Sequence, residues 1–455
     1  MRSKTAHERY LQFDGKSSLI VVQEYREKYG AVSDLLDSNQ EVLALVHRDL
    51  MRLSTFNRKG RASEFSSEQL LRALIVMYIE HTDYRDTVVR IANSDFLRHF
   101  VRLSYSQSVM DYTFLNRAHS AVAESTWAAV NKILSAYAIS QEKIDGEKCR
   151  VDTTAVETNI HYPTDSSLLW DSFRTLARLL GNLRRDYSGL ELDHRFHTRK
   201  AKKLAFFIAR SGKSPSKATQ RKVLRSYRTL IDRVKWIADV AAKVSSRCSS
   251  VHFAAVEISY YLPLVRKVID QSERRVFKGE MVPATEKIYS LFESHTELLK
   301  RGKAGKPLEF GHKVLVAQTG QKFIHHYQVL PERKEDKDLL SGILKAHKEL
   351  FETMPKVLAT DKGFYQNMDQ IHELEKTIQT VSMCKKGRRR ADELARESTK
   401  EFKQGQCFRA GCEGSISVLK RAFKLGRCLF KGFKHYAASV GLAVFCHNLV
   451  LLARG

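Results

Sequence analysis

The chain has 455 residues, 43% of them hydrophobic, and carries 77 Lys and Arg against 51 Asp and Glu, a formal charge of +26. The apolar content excludes a disordered chain, the length exceeds one compact core, and the charge predicts a polyanionic partner, most often nucleic acid. Seven cysteines, odd in number and without a CxxC pair, argue against a disulfide framework or a zinc knuckle and for a reducing cytoplasm.

The opening "MRSKTAHERYLQFDGKSS" lacks the apolar run of a signal peptide, so export is not indicated. Residues 1–60 carry little pattern beyond a basic "RKGR" at 58–61. From 66 to 140 the signals are helical. Ser66 followed by Gln69 fits a capping box, and Leu70, Leu71, Leu74, Ile75 and Tyr78 then fall at helical spacing. Short helices joined by polar turns such as "SYSQS" suit a helix-turn-helix-like DNA-binding unit and equally an ordinary helical bundle.

Residues 146–160 change the pattern. In "RVDTTAVETNI" the β-branched Val151, Thr153, Thr154, Val156, Thr158 and Ile160 favour a strand, in which Asp152 is out of character. Taken alone, Asp152 reads as a strand-end carboxylate bonded to a turn. More than a hundred helical residues follow. Between 195 and 250 stand sixteen Lys and Arg against two acids, while Val223, Tyr227, Leu230, Val234, Ile237 and Ala241 form an apolar stripe. A solvated basic face is one reading, and a helical insert that tracks phosphates is the other, favoured by the imbalance.

From 284 the pattern is β again. "EKIYSLF", "EFGHKVLVAQ" and "KFIHHYQVL" read as strands, with "TGQK" as a hairpin turn. "DKDLLSGILKAHKELFETM" reads as an amphipathic helix ended by Pro355, "KVLATDKGF" as a strand running into a turn, "NMDQIHELEKT" as a helix and "IQTVSMC" as a strand. Residues 408–424 read as a helix despite Gly411 and Gly414. The uncharged "AASVGLAVFCHNLVLLA" at 437–453 is at the lower limit for a membrane span, and His447 and Asn448 favour a buried helix. The order predicts an α/β fold: a mixed sheet flanked by helices, preceded by an all-α N-terminal domain and interrupted after its first strand by a large helical insertion. The expected divisions are 1–145 for the helical DNA-binding domain, 146–163 for the first part of the catalytic domain, 164–283 for the basic insertion and 284–455 for the remainder.

In such sheets catalytic groups gather at the carboxyl ends of strands. Asp152 and Asp361 lie on two strands, and Glu413 lies in the helix of "CFRAGCEGSISVLKRAFKLGR". Two aspartates and a glutamate from separate elements are what a pair of oxygen-liganded Mg²⁺ ions requires for phosphoryl transfer. Each acid taken singly also reads as structural. Arg409, four residues before Glu413, and Lys420, seven after it, share nearly one helical face, as a salt-bridged surface or as a grip on phosphates beside a metal ligand. "KKGRRR" at 385–390, with Lys385, Lys386, Arg388 and Arg389, reads as a DNA-contacting loop rather than a localisation signal. Arg221, Lys222 and Arg225 are the corresponding candidates in the insert.

His325 and His326 point to opposite faces of a strand and read as hairpin residues, while Cys407 and Cys412 lack a suitably spaced partner pair for a metal. No Walker A pattern and no dinucleotide glycine fingerprint appears, so ATP consumption is not suggested.

"VDTTAVETNIHYPTDSSLLWD", "SLFESHTELLKRGKAGKPLEFGHKV", "ATDKGFYQN" and "RAGCEGSISVLKRAFKLGR" with the following "KGFKHYAASVGLAVFCHNLVLLAR" resemble bacterial insertion-sequence DDE transposases of the ISNCY type. The likeness runs from about residue 66 and is most specific over 151–171 and 305–450. It implies a ribonuclease H-like catalytic fold, with Asp152, Asp361 and Glu413 matching the catalytic triad and holding two Mg²⁺ ions, for which Mn²⁺ substitutes. It further implies cleavage at element ends and strand transfer into target DNA, with terminal inverted repeats and target duplex as partners. The enzyme would be a homo-oligomer on DNA, cytoplasmic and nucleoid-associated, with no membrane and no ATP. In related transposases the glutamate lies in a Tyr-x2-Arg-x3-Glu-x6-Lys signature. This chain has Arg409, Glu413 and Lys420 at that spacing but Gln406 in the tyrosine's place. Two other readings remain open: a transposase-derived DNA-binding regulator without catalysis, and a ribonuclease H-like nuclease acting on RNA or hybrids.

Overall fold

The computed structural model describes residues 3–5, 17–53, 64–187, 192, 194–248, 252–300 and 307–454. The basic stretch 58–61 and residues 301–306 of the second resembling segment lie outside them. Among the described residues are sixteen α-helices and seven strands, which form one open, mixed sheet. The α/β class expected from the element order is therefore observed. The chain divides into two compact units, one of residues 1–157 and 312–455, the other of 158–311.

The first unit begins with seven helices: α1 (Ile20–Ser38), α2 (Gln40–Leu50), α3 (Ser67–Ile79), α4 (Tyr84–Ala92), α5 (Asp95–Phe100), α6 (Tyr112–Ala121) and α7 (Glu124–Ser140). The capping box at α3 is formed: Ser66 Oγ accepts from Gln69 N at 3.1 Å, and Gln69 Oε1 accepts from Ser66 N at 3.0 Å. Five strands and two helices then carry the sheet: β1 (Lys148–Thr158) and, from the end of the second unit onward, β3 (Leu308–Gln318), β4 (Ile324–Val329), α12 (Leu340–Phe351), β5 (Val357–Thr360), α13 (Met368–Glu375) and β6 (Thr380–Met383) are found in this order. The chain ends with α14 (Ala391–Ser398), α15 (Lys400–Ala422), the two-residue β7 (Arg427–Cys428) and α16 (Phe433–Leu452). The path across the sheet is β3-β1-β5-β6, with β4 on β3 and β7 on β1. β1 pairs parallel with β5 and β5 with β6, whereas β3 and β4 are an antiparallel hairpin.

Helix α16 is long and apolar enough to cross a membrane, but 83% of its apolar window is buried inside the protein, so it is the core helix that its polar residues predict. Asn448 answers its own burial by bonding both backbone groups of Ile324 in β4, at 3.1 and 2.9 Å. Helix α7 approaches α16 at Gly441, where an added Cβ would lie 2.6 Å from Trp127 Cβ. The helices of residues 1–145 thus share one core with α16, β3 and β4.

The second unit holds α8 (Asp165–Asp186), α9 (Thr198–Ser211), α10 (Lys217–Ser245), α11 (Phe253–Val276) and β2 (Glu297–Lys300), which pairs antiparallel with the start of β3. The stripe on α10 is its core face: Val223, Leu230, Val234, Ile237 and Ala241 are buried with residues of α8, α9 and α11, and Tyr227 packs at its edge. One expected strand is absent. "EKIYSLF" (286–292) is irregular because Ile288 bonds through both backbone groups to the side-chain amide of Gln271, at 3.2 and 2.8 Å, and Ile288 and Leu291 insert into the helical core. Two helix ends also differ. α12 stops at Phe351, where Glu352 takes a left-handed conformation (φ 63°), before Pro355 is reached, and α15 starts at Lys400, a full two turns ahead of the expected 408.

Candidate active site

The site grows from β1 and β5. Both are rich in β-branched and small apolar residues and buried on both sides, as an inner parallel strand must be. Their register pairs Val151 with Thr360, so the next residue of each, Asp152 within β1 and Asp361 just beyond β5, follows where the parallel pairing ends. Asp361 leaves β5 and caps a single 3₁₀ turn, Lys362–Phe364, accepting from Lys362 N at 2.8 Å. Asp152 Oδ1 accepts from Thr153 N at 2.7 Å.

Glu413 comes from α15, which lies across this end of the sheet. Alternation along β1 places Arg150 and Asp152 on one face, toward α15, and Cys149 and Val151 on the other, in the core with α12 and α13. Arg150 is buried and fully engaged: Nε donates to Gln318 Oε1 of β3 at 2.9 Å, Nη1 to the Phe408 carbonyl at 3.1 Å and Nη2 to Ser415 Oγ at 3.2 Å. It ties β3, β1 and α15 together two residues from Asp152. Nothing in its sequence context, an arginine at a strand start, marked it for this.

Two glycines let the helix come close. A Cβ at Gly405 would lie 2.4 Å from Ser382 Cβ, and one at Gly411 would lie 2.2 Å from Arg150 Nη1. Gln406, in the position of the signature tyrosine, donates to the Ser382 carbonyl at 2.7 Å and to its hydroxyl at 3.0 Å, so it clamps α15 to β6. Lys420 donates to the Ala155 carbonyl at 2.7 Å and fastens the far end of α15 to β1.

Arg409 spans the acids. Its Nη1 is 3.6 Å from Asp152 Oδ2 and its Nη2 donates to Glu413 Oε1 at 3.0 Å. Asp152 is largely buried, and that burial pushes its carboxyl up to about 6. The charges of Asp361 and Glu413 push the same way, against the Thr153 N–H and Arg409. The three sequence-predicted acids therefore share one electrostatic field. Their donor set is all oxygen, which suits a hard divalent cation, although the three carboxylates are not drawn to within 4.8 Å of one another. The donors that do meet this closely among the described residues are Cys149, His325 and His347, from β1, β4 and α12. Sequence reading missed this grouping, because its members stand in three separate elements and His325 was weighed only against its neighbour His326.

The remaining basic candidates fall into two groups. Lys385 pairs with Glu393, and Arg389 with Glu397 at 2.7 Å, so two of this loop's five cations hold it to α14. Lys386 and Arg388 are exposed, as are Arg221, Lys222 and Arg225 on the polar side of α10 in the second unit. All seven cysteines are free thiols, with Cys412 buried and Cys407 exposed on α15.

Compared with family models, with curated proteins and with solved structures, the chain matches none.

Proposed function

We propose that this chain is a DDE transposase, which cleaves DNA at the ends of a mobile element and joins the freed ends to target DNA. The observation that carries the reading is the placement of Asp152 and Asp361 side by side where the parallel pairing of β1 and β5 ends, with Glu413 brought over them by α15. A strand path with β1 central, β3 and its antiparallel partner β4 on one side and the parallel β5 and β6 on the other, supports a ribonuclease H-like core.

Asp152, Asp361 and Glu413 would hold two Mg²⁺ ions, or Mn²⁺ in their place. When bound, such ions supply Lewis acidity to the scissile phosphodiester and to the attacking water or 3′-hydroxyl. The protein's own part is positional. Arg150, Gln406 and Lys420 hold α15 against β1 and β6 so that Glu413 faces the aspartates. Asp152 must give up a proton that burial favours before it can serve as a ligand. Arg409 neutralises Asp152 and Glu413 and is placed to turn its fork toward a phosphate.

The exposed basic residues Arg221, Lys222, Arg225, Lys386 and Arg388 would track the duplex backbone of terminal inverted repeats and target, with two or more copies pairing the ends in the cytoplasm at the nucleoid. One observation favours a second reading, a DNA-binding regulator without catalysis: the carboxylates stand apart with Arg409 between Asp152 and Glu413.

The deciding experiment is a mobility assay of the gene with its flanking DNA, comparing wild type with Asp361→Asn at matched expression. Excision or insertion by wild type alone is expected. No movement by either, with flank binding kept by both, would favour the regulator.

A further inference from the structure

The face of β1 turned away from the carboxylates carries a second chemistry. Cys149 of β1, His325 of β4 and His347 of α12 bring one donor atom each to within 4.8 Å of the others. Cys149 and His347 are fully buried. His347 Nδ1 and His325 Nε2 stand 3.3 Å apart, the edge of a tetrahedron whose centre binds nitrogen at about 2.0 to 2.1 Å. His347 Nε2 lies 3.0 Å from the Gly146 carbonyl, where it donates its proton, which leaves the Nδ1 lone pair directed inward. A metal-bound histidine is held in this way by an outward hydrogen bond that fixes its tautomer.

Hydrogen bonding does not complete the group. The shared bond between the two imidazoles uses His325 Nε2, and His325 Nδ1 is buried without a hydrogen-bond partner. A polar nitrogen left so is costly in a protein interior. The ring of Phe351 closes the site, 4.7 Å from His347 and 5.6 Å from His325 between centroids. It fits only because residue 146 is glycine: a Cβ there would lie 2.6 Å from Phe351 Cγ.

We propose that Cys149, His325 and His347 bind one divalent transition-metal ion of the zinc class, with a water as fourth ligand. One thiolate and two imidazoles suit zinc-class ions and reject Mg²⁺, which seeks oxygen. The site is thus chemically separate from the carboxylates, on the other face of the strand that carries Asp152. Its three ligands come from three elements, so the ion locks β1, β4 and α12 together and acts on the structure.

The test is cobalt(II) titration of the chelator-stripped full chain in a Cys248→Ser, Cys384→Ser, Cys407→Ser background, which removes the less buried thiols. One equivalent should bring a sulfur-to-cobalt charge-transfer band and the intense visible bands of tetrahedral cobalt. Zinc should abolish them and excess Mg²⁺ should not, and the melting temperature should rise with the bound ion. Cys149→Ala, shown folded by circular dichroism, should lose the charge-transfer band, and His347→Gln should lose the tetrahedral spectrum. Failure of the Cys149-bearing background protein to develop a tetrahedral, sulfur-bearing spectrum at stoichiometric cobalt overturns the proposal, whatever the variants do. Persistence of the band in folded Cys149→Ala overturns it as well.

Discussion

Asp152 and Asp361 each stand one residue beyond a register pair, Val151 of β1 and Thr360 of β5, so two carboxylates 209 positions apart in the chain come side by side where the pairing of two inner strands ends. Parallel pairing brings the two together. If the two acids hold the catalytic ions, Asp361→Asn should lower strand cleavage and joining by about 10³-fold or more, since Lewis-acid stabilisation supplies several kcal/mol and each 1.36 kcal/mol is tenfold in rate. DNA binding should be unchanged, because Asp361 contributes no positive charge. A gel-shift assay beside a joining assay on repeat-ended DNA separates the two effects, and equal joining by both proteins would remove Asp361 from the chemistry.

The pH dependence of stability follows from Asp152. Its carboxyl is pushed up from 3.8 to about 6, with burial the leading cause. Between these values the folded protein holds a proton that the unfolded chain has lost, so stability falls as pH rises from about 4 to 6 and stays lowered above it. The penalty is on the order of 3 kcal/mol above pH 6, at about 1.36 kcal/mol per unit. Asp152→Asn should therefore stabilise the metal-free protein at pH 7.5 and confer nothing at pH 4. Denaturant titrations at the two pH values check this, and a variant that is less stable at pH 7.5 contradicts the burial argument.

The approach of α15 to the sheet gives a steric prediction. Gly405→Ala would place a Cβ 2.4 Å from Ser382 Cβ, between a helix and a strand that both have backbone to move. Overpacking of this kind costs about 1 to 3 kcal/mol. Because Gly405 is two turns before Glu413, the shift should also weaken Mn²⁺ binding at the carboxylates. Gly414→Ala, where a Cβ meets nothing within 4 Å, is the matched control and should gain slightly from helix propensity. Calorimetric melting of both variants distinguishes them.

Much of this arrangement was legible in the chain. The β-branched run at 150–160, the capping box at Ser66, the apolar stripe of α10 and the buried reading of α16 rest on local periodicity, and local periodicity survives into the fold. What sequence could not supply was contact between distant segments. "EKIYSLF" had strand composition, yet the amide of Gln271 satisfies Ile288 in place of a ladder. Gly411 read as a weakness in a helix, and its use is room for Arg150. Gln406 read only as a departure from a signature, and it anchors α15 to β6. The meeting of Cys149, His325 and His347 has no local signal, since 176 positions separate the first two.

Arg409 carries a prediction of opposite sign for two ligands. It neutralises Asp152 and Glu413, so its removal should favour a divalent cation at the acids and disfavour DNA. The ion pair with Glu413 is solvent-exposed on the glutamate side, and such a pair is worth up to about 1 kcal/mol. Arg409→Gln should tighten Mn²⁺ binding roughly fivefold by paramagnetic titration, in step with that energy, while it lowers activity on DNA. Weaker Mn²⁺ binding in the variant would mean that Arg409 supports the carboxylate geometry and does not compete with the cation.

The basic face of α10 makes its prediction through salt. A duplex binder that engages six or more phosphates loses about 10³-fold or more in affinity between 50 and 200 mM salt, and each phosphate contact adds about 0.9 to the slope of log K against log salt. Arg221, Lys222 and Arg225 are exposed on one stretch of α10 whose apolar side is buried, so replacing them with Gln removes charge without touching the core. The triple variant should show a slope shallower by up to about 2.7 and weaker binding to every duplex alike, because phosphate contacts carry no sequence information. Lys386→Gln with Arg388→Gln in the other unit should act in the same direction with a smaller change, two charges against three. Fluorescence anisotropy on a flanking-repeat duplex and a scrambled duplex across a salt series reads both quantities. An unchanged slope in the triple variant would make the α10 charges a solvated face and leave the DNA contacts to the first unit.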